Sequence, residues 1–222
     1  MVASAVVSRC CRPDAYREVF DEKQARKDAR RYRRKGLPKD AAAGIAFLRR
    51  RGISGLTVLE VGGGVGAAAL ELLRAGAAGA VNVELSPAYA PVAAELVREN
   101  SLDESALELR VGDFVDEAPA IEPADVVVMN RVVCCYPDYE ALLSAAADRA
   151  RRYLVFTYPR DNPAARLVVW LENLFLRLTG REFRSFVHPR EAMLAVIEAR
   201  GLRLAEERRA PIWETAALER TA

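Results

Sequence analysis

At 222 residues, 51% of them hydrophobic and 29% charged, the chain can bury the core of one α/β domain but is too short for a comfortable two-domain enzyme, so a single site is expected. It has no long low-complexity tract, which excludes a disordered protein. A net charge of +2 conceals an asymmetry: residues 22–35 carry eight basic side chains against Glu22 and Asp28, so that segment is +6 and the remainder −4.

Residues 1–8 are apolar but stop too soon for a signal-peptide core, and no later run approaches the roughly 20 apolar residues of a membrane span, so a cytoplasmic protein is expected. The four cysteines form two adjacent pairs, Cys10-Cys11 and Cys134-Cys135. Neither the spacing of a zinc site nor the density of a disulfide framework is present, which predicts free thiols and no metal. Residues 14–35 read as one charged helix and 39–51 as a second. Residues 56–61 read as a buried strand running directly into glycines, followed by a helix over about 65–74. Residues 80–84 are the next strand, and Pro87 opens a helix to about residue 100, as a proline at the first helical position does. A third strand covers 107–111, a fourth 124–130 and a fifth 153–158, with a helix at 138–151 between the last two. This alternation predicts a parallel sheet with helices on both faces. Beyond it, 163–178 and 189–200 read as amphipathic helices, and 203–208 with 212–218 as a closing antiparallel pair.

In an open parallel sheet the ligand lies beyond the carboxyl ends of the strands, where strand order reverses, so the loop after the first strand is the place to search. That loop is Gly62-Gly63-Gly64-Val65-Gly66. Its glycines let the backbone turn sharply and approach a ligand with no Cβ in the way. Glu60 precedes it, giving Glu-x-Gly-x-Gly-x-Gly. Glu84 ends the second strand 20 residues after Gly64, where a carboxylate can accept both hydroxyls of an adenosine ribose. Asp113 and Phe114 follow the third strand, an acid for an adenine amino group and a ring for its face. Asn130 ends the fourth strand. These strand ends converge on one nucleoside-shaped site, to which Leu85 and Arg131, the next residues after Glu84 and Asn130, also belong.

Residues 56–160 resemble the class I S-adenosylmethionine-dependent methyltransferases, and the rest of the chain matches in element order. The family's first motif is similar to residues 58–66, its ribose acid matches Glu84 and its adenine acid Asp113. The resemblance implies a Rossmann-like seven-stranded sheet, mostly parallel with an antiparallel edge and helices on both faces. Residues 1–51 would be a helical N-terminal arm or cap on a domain of residues 52–222, the two forming one structural unit. It further implies an enzyme that binds S-adenosyl-L-methionine and releases S-adenosyl-L-homocysteine. The glycine loop would then pack on the cofactor's amino-acid portion and ribose, and Asn130 would meet the ammonium group. Two alternatives stay open: a non-catalytic S-adenosylmethionine-binding domain, and an NAD(P)-dependent oxidoreductase, since Gly62-x-Gly64-x-x-Ala67 satisfies the relaxed dinucleotide fingerprint. Glu60, the Asp113-Phe114 pair and the absence of a second substrate domain weigh against the oxidoreductase.

Methyl transfer is an in-line displacement in which positioning alone supplies roughly 7–11 kcal/mol, so a strong general base is not obligatory. Tyr136, in the loop after the fourth strand, is expected to line the acceptor pocket, and His188, the single histidine, is the other catalytic candidate against a packing or capping role. Cys134 and Cys135 read as inert packing. Enzymes that methylate exocyclic base amines resemble each other in an Asn/Asp-Pro-Pro-aromatic sequence, and Arg131-Val132-Val133 occupies that space. The favoured partner is therefore a small-molecule acceptor, O- or N-directed, with RNA as the runner-up and nucleic acid in general disfavoured. A weaker likeness to magnesium-protoporphyrin O-methyltransferase rests on the arm, on Tyr136-Pro137 and on Phe186-Val187-His188. Cys135 stands where that family has histidine. Tyr16, Phe20 and Tyr32 are expected to close over the cofactor. The 163–178 helix is read as a lid or as ordinary core packing, with peripheral membrane contact the lesser alternative. The sequence carries no signal for an oligomeric state.

Overall fold

The computed structural model describes residues 13–221; Cys10, Cys11 and the apolar stretch before them lie outside the described residues. Strands β1 (Thr57–Val61), β2 (Gly79–Glu84), β3 (Leu107–Val111), β4 (Ala124–Asn130), β5 (Ala150–Pro159), β6 (Leu202–Arg209) and β7 (Trp213–Arg220) form one sheet in the order β3-β2-β1-β4-β5-β7-β6. All pairings among β1 to β5 are parallel, and β7 runs antiparallel between β5 and β6. The expected closing pair is present, with the last strand inserted inside the sheet. The outer strand β6 carries a register shift between Leu204 and Glu206 and a run of charges, both of which discourage edge-to-edge pairing.

Because side chains alternate along a strand, the buried runs supply two cores at once. Val58, Val126, Val128 and Val155 face one side with the helices α2 (Glu22–Lys35), α3 (Lys39–Arg51), α4 (Ala67–Arg74) and α5 (Ala90–Glu99). Leu59, Val61, Val127, Met129 and Phe156 face the other, under α6 (Phe114–Glu117), α7 (Tyr139–Arg149) and α9 (Arg190–Glu198). Strand order reverses between β1 and β4, which opens a crevice at the carboxyl ends of the strands.

Of the boundaries that differ from the expected ones, three have a clear local reason. The charged segment 14–35 is two helices, α1 (Pro13–Arg17) and α2, because the Asp21 carboxylate accepts the Gln24 N–H at 2.8 Å and caps a new helix there. The break turns Tyr16 and Phe20 inward against Phe183, with ring centroids 5.4 and 5.5 Å away. The helix after the glycine loop starts at Ala67, since Gly62, Gly64 and Gly66 all have positive φ. Pro87 opens a one-turn 3-10 helix, with α5 only from Ala90. Residue 91 is proline, so the N–H that would close an α-helical bond to the carbonyl of residue 87 does not exist.

The helix α8 (Pro163–Leu178) has the expected span, with the Asn162 side chain capping it by accepting the Ala165 N–H at 2.8 Å. The expectation of ordinary core packing is corrected here. Only Ala165 and Leu176 of α8 are buried, and its large apolar residues face outward.

Candidate cofactor and acceptor site

A cavity of about 480 Å³ occupies the crevice, within the range typical of small-molecule sites. Its floor is made by strand ends that hold the next turn of backbone with carboxylates. Glu60 ends inside β1, is buried, and accepts the N–H groups of Ala68 (3.2 Å) and Ala69 (2.7 Å) in the first turn of α4. Burial pushes its pKa up to about 7, against the lowering effect of those two bonds. Glu60 therefore braces the loop and the helix behind it.

Glu84 plays the corresponding part from β2. Its Oε2 accepts the Gly64 N–H and its Oε1 the Ser86 N–H, both at 2.9 Å. Burial raises its pKa, and the backbone N–H groups oppose the rise. The loop itself has no room for side chains: a Cβ on Gly62 would come within 2.7 Å of Val132, and one on Gly63 within 2.5 Å of Glu60. Gly62, Gly63 and Gly64 line the cavity. Gly66, expected in the cofactor set, does not; it forms the left-handed N-cap of α4, beside Leu107 and Asn82.

From β3, Asp113 caps α6 by accepting the Val115 N–H at 2.9 Å, and Phe114 is buried beside it on the cavity wall. Burial raises the Asp113 pKa. Tyr136 donates its hydroxyl to both Asp113 oxygens at 3.1 Å. Tyr136 lines the cavity, as expected of its loop, and sits on the Asp113 side of it. Burial first, then the Asp113 charge, push its phenol far above the usual range, which removes it as a base.

From β4, the Asn130 Oδ1 accepts the Thr157 hydroxyl at 2.9 Å, and that hydroxyl oxygen accepts the Arg131 N–H at 2.7 Å. Arg131 has φ 59°, a left-handed conformation unusual for a side chain of its size. Its guanidinium is held by Asp40 on α3 at 2.7 and 2.9 Å and lies over the Trp213 ring, 4.3 Å from the centroid. Arg131 thus ties α3, the end of β4 and β7 together, with its side chain committed to that task. Leu85 lines the cavity and packs with Tyr16 and Phe183.

His188, the other catalytic candidate, is not among the residues that line the cavity. It is buried, and its Nε2 lies 3.1 Å from the Val133 carbonyl and 2.9 Å from that of Tyr136. Both partners only accept, so Nε2 carries the proton and donates. Desolvation lowers its pKa, and it fixes the loop that carries Tyr136.

The remaining wall comes from the arm and from α8. Tyr16, Phe20 and Tyr32 line the cavity, and the Tyr16 hydroxyl donates to the Cys135 carbonyl. The N-terminal segment through α2 is held to the rest of the fold by Tyr89 to Asp28 (2.9 Å), Tyr32 to Glu71 (2.9 Å) and Ser86 to the Phe20 carbonyl (2.6 Å). Cys134 and Cys135 are free thiols, with sulfurs 3.7 Å apart. Their mutual contact, then burial, then the charges of Cys134, Glu172 and Glu84 raise the Cys135 pKa, so its thiol stays protonated. Cys135 thus feels Glu84 on the floor and Glu172 from α8, and all three line the cavity.

Sequence reasoning missed Asp28 and Glu172. A usable signal existed for both: Asp28 is one of two acids in the basic segment 22–35, and Glu172 is the sole charged acid in the apolar helix 163–178.

A family model described as a methyltransferase domain matches residues 29–207. Among solved structures, magnesium protoporphyrin IX methyltransferase from Synechocystis PCC 6803, with bound S-adenosylhomocysteine, superposes with a TM-score of 0.66 at 20% identity, covering 94% of this chain and 93% of that one. An O-methyltransferase family protein from Burkholderia thailandensis gives 0.67 at 16% identity, covering 92% and 64%. Human N-acetylserotonin methyltransferase, in complex with S-adenosylmethionine, gives 0.65 at 14% identity, covering 94% and 59%. At these identities the likeness establishes the fold. No curated protein sequence matches the chain significantly.

Proposed function

The chain belongs to the methyltransferase-domain family, and from that premise we propose that it binds S-adenosyl-L-methionine in the strand-end cavity and transfers the methyl group to a small-molecule acceptor. The arrangement of Glu84 carries the reading. Its oxygens accept the Gly64 and Ser86 N–H groups, and the Leu85 N–H also acts on the carboxylate. Two carboxylate oxygens offer about four acceptor sites, so capacity remains for a ribose hydroxyl. The donor set fits a nucleoside: Glu84 takes the ribose hydroxyls, Asp113 the adenine amino group and Phe114 the base face. Gly62, Gly63, Gly64 and Asn130 hold the amino-acid end. Glu60 and Gly66 act behind them, by shaping the turn. Tyr136 and His188 are positioning residues, the first for Asp113 and the second for the loop.

The bound sulfonium supplies a methyl carbon already activated for displacement. The chain's own contribution is to orient the acceptor in line with that carbon and to keep water out. Tyr16, Phe20, Cys135 and Glu172 make the acceptor end, closed by the Tyr16, Leu176 and Phe183 cluster. Glu172 is the acceptor-end residue suited to orient an acidic N–H or O–H and receive its proton, since the Cys135 thiol and the Tyr136 phenol are both raised. The basic arm is partly neutralised within the chain, with Arg26 on Glu22 and Arg33 bidentate on Glu99. That favours a small acceptor over RNA.

Calorimetry with S-adenosylmethionine, S-adenosylhomocysteine and NAD tests the first step. Binding of both sulfur nucleosides without NAD is the expected result, and NAD binding alone would overturn it. A radiolabelled-donor screen across carboxylic acids, phenols and amines then identifies the acceptor class.

A further inference from the structure

Among the described residues, seven of the eight exposed large hydrophobic side chains lie on the single helix α8. Leu167, Leu171, Leu174 and Leu178 follow 4-3-4 spacing and so form one stripe along its outer face. Val168 and Phe175 widen the stripe on one side and Trp170 on the other. The inner face is anchored separately: Asn173 exchanges two 2.8 Å hydrogen bonds with the Ser185 backbone, and Leu176 packs on Tyr16 and Phe183. The outer face is therefore not a core face left open by loose packing. It is a second, distinct apolar surface on a helix already held in place, and an isolated stripe of this size signals an unpartnered binding surface.

The flanks identify the occupant. Arg166 and Arg177 stand at i−4 and i+7 from Trp170 and so share its flank, and Arg181 follows the helix end; all three are exposed, with Arg166 paired to Asp161 at 2.7 Å, which leaves Arg177 and Arg181 as the main contributors. Aromatic and leucine residues on one face with arginines beside them make the composition of a helix lying in the plane of a membrane interface. No helix among the described residues is long and apolar enough to cross a membrane, so contact would be peripheral. A second copy fits less well. A 16-residue helix is about 24 Å long. Two such convex ridges crossing at an angle touch over one patch, well short of the roughly 800 Å² per partner of a standard interface. A flat bilayer meets the whole stripe at once.

We propose that α8 docks this protein on an anionic lipid surface, its outer stripe in the headgroup and acyl boundary and its arginine flank on lipid phosphates. Glu172 lies toward the inner face of the same helix and lines the cavity, so a docked α8 would stand between the acceptor end of the site and the bilayer.

Co-flotation with phosphatidylcholine vesicles, with and without phosphatidylglycerol, tests the docking. The wild-type chain floats with the anionic vesicles. Leu171→Glu and Phe175→Glu each reduce the partition coefficient by at least about tenfold. Arg177→Gln reduces it about fivefold, on anionic vesicles only. Val111→Glu, at the one exposed large hydrophobic residue off α8 among the described residues, leaves it unchanged. A wild-type chain that stays with neither vesicle overturns the proposal, as does Leu171→Glu floating like wild type. A wild-type dimer that Leu171→Glu converts to monomer in sedimentation, with no flotation, assigns the stripe to a second copy instead. S-adenosylhomocysteine calorimetry on the same variants reads the cofactor site alone, so failure of docking and failure of the methyltransferase reading are separable.

Discussion

Replacing Glu60 by glutamine isolates the price of burying a carboxylate beneath the glycine loop. Its pKa of about 7 stands against an ordinary 4.5. Because the folded value is raised, the folded chain keeps a proton that the unfolded chain releases between those two pH values. Stability therefore falls as pH climbs from about 4.5 to about 7 and levels off above. The difference corresponds to about 3 kcal/mol. Glutamine does not titrate, so Glu60→Gln lacks this slope. Its absolute stability also shifts, because a carboxamide can accept only one of the Ala68 and Ala69 N–H groups, a loss of roughly 1–3 kcal/mol. The slope is the informative quantity. Urea unfolding of both proteins at several pH values between 4 and 8 measures it. His188, whose lowered pKa makes stability fall as pH drops below about 6.5, acts alike in both proteins and cancels, as does Asp113; the Glu84 charge is a minor cause of the Glu60 rise and belongs to the slope being measured. Parallel stability curves would refute the assignment of a raised pKa to Glu60.

At the cofactor end, Glu84→Gln should weaken S-adenosylhomocysteine binding about 10- to 100-fold by calorimetry, the worth of one charge-assisted hydrogen bond; an unchanged dissociation constant removes Glu84 from the ribose. Tyr136→Phe should weaken nucleoside affinity about fivefold through a less restrained Asp113 while sparing kcat. A fall in kcat at unaltered affinity would instead return Tyr136 to the acceptor. Glu172→Gln should lower kcat on the acceptor about 10²- to 10⁴-fold with nucleoside affinity intact, and a wild-type rate would leave proton removal to solvent.

The order of strands and helices was legible because buried parallel strands are continuous apolar runs and their ends are marked by glycine and proline. Residues 107–111 and 124–130 form strands with the expected bounds. The three boundaries argued above turn on local features that periodicity does not register: the Asp21 cap, the missing N–H of Pro91 and the left-handed glycines. The strand-end acids were legible for a topological reason: in a parallel sheet every carboxyl end points at the same crevice, so Glu84 and Asp113 must share it. Tyr136 and His188 follow no such rule. Their loop turns through a 3-10 segment at Val133–Cys135 and is held by Phe186, whose N–H donates to the Cys134 carbonyl at 2.7 Å. That contact joins segments 52 residues apart, and only the assembled chain shows which way the side chains between them face.

The three strand-end acids share a further property that links the fold to its ligand. Glu60, Glu84 and Asp113 are each desolvated and raised in pKa, and each is only partly compensated by backbone N–H groups of the following turn. A carboxylate in that condition destabilises the protein on its own and gains most when hydroxyl or amino donors arrive in the cavity. In the proposed reading Glu84 and Asp113 meet the ligand, whereas Glu60 keeps both oxygens on the first turn of α4. Ligand binding should thus relieve Glu84 and Asp113 and stabilise the loop they hold, while Glu60 keeps its penalty whether or not the cavity is filled.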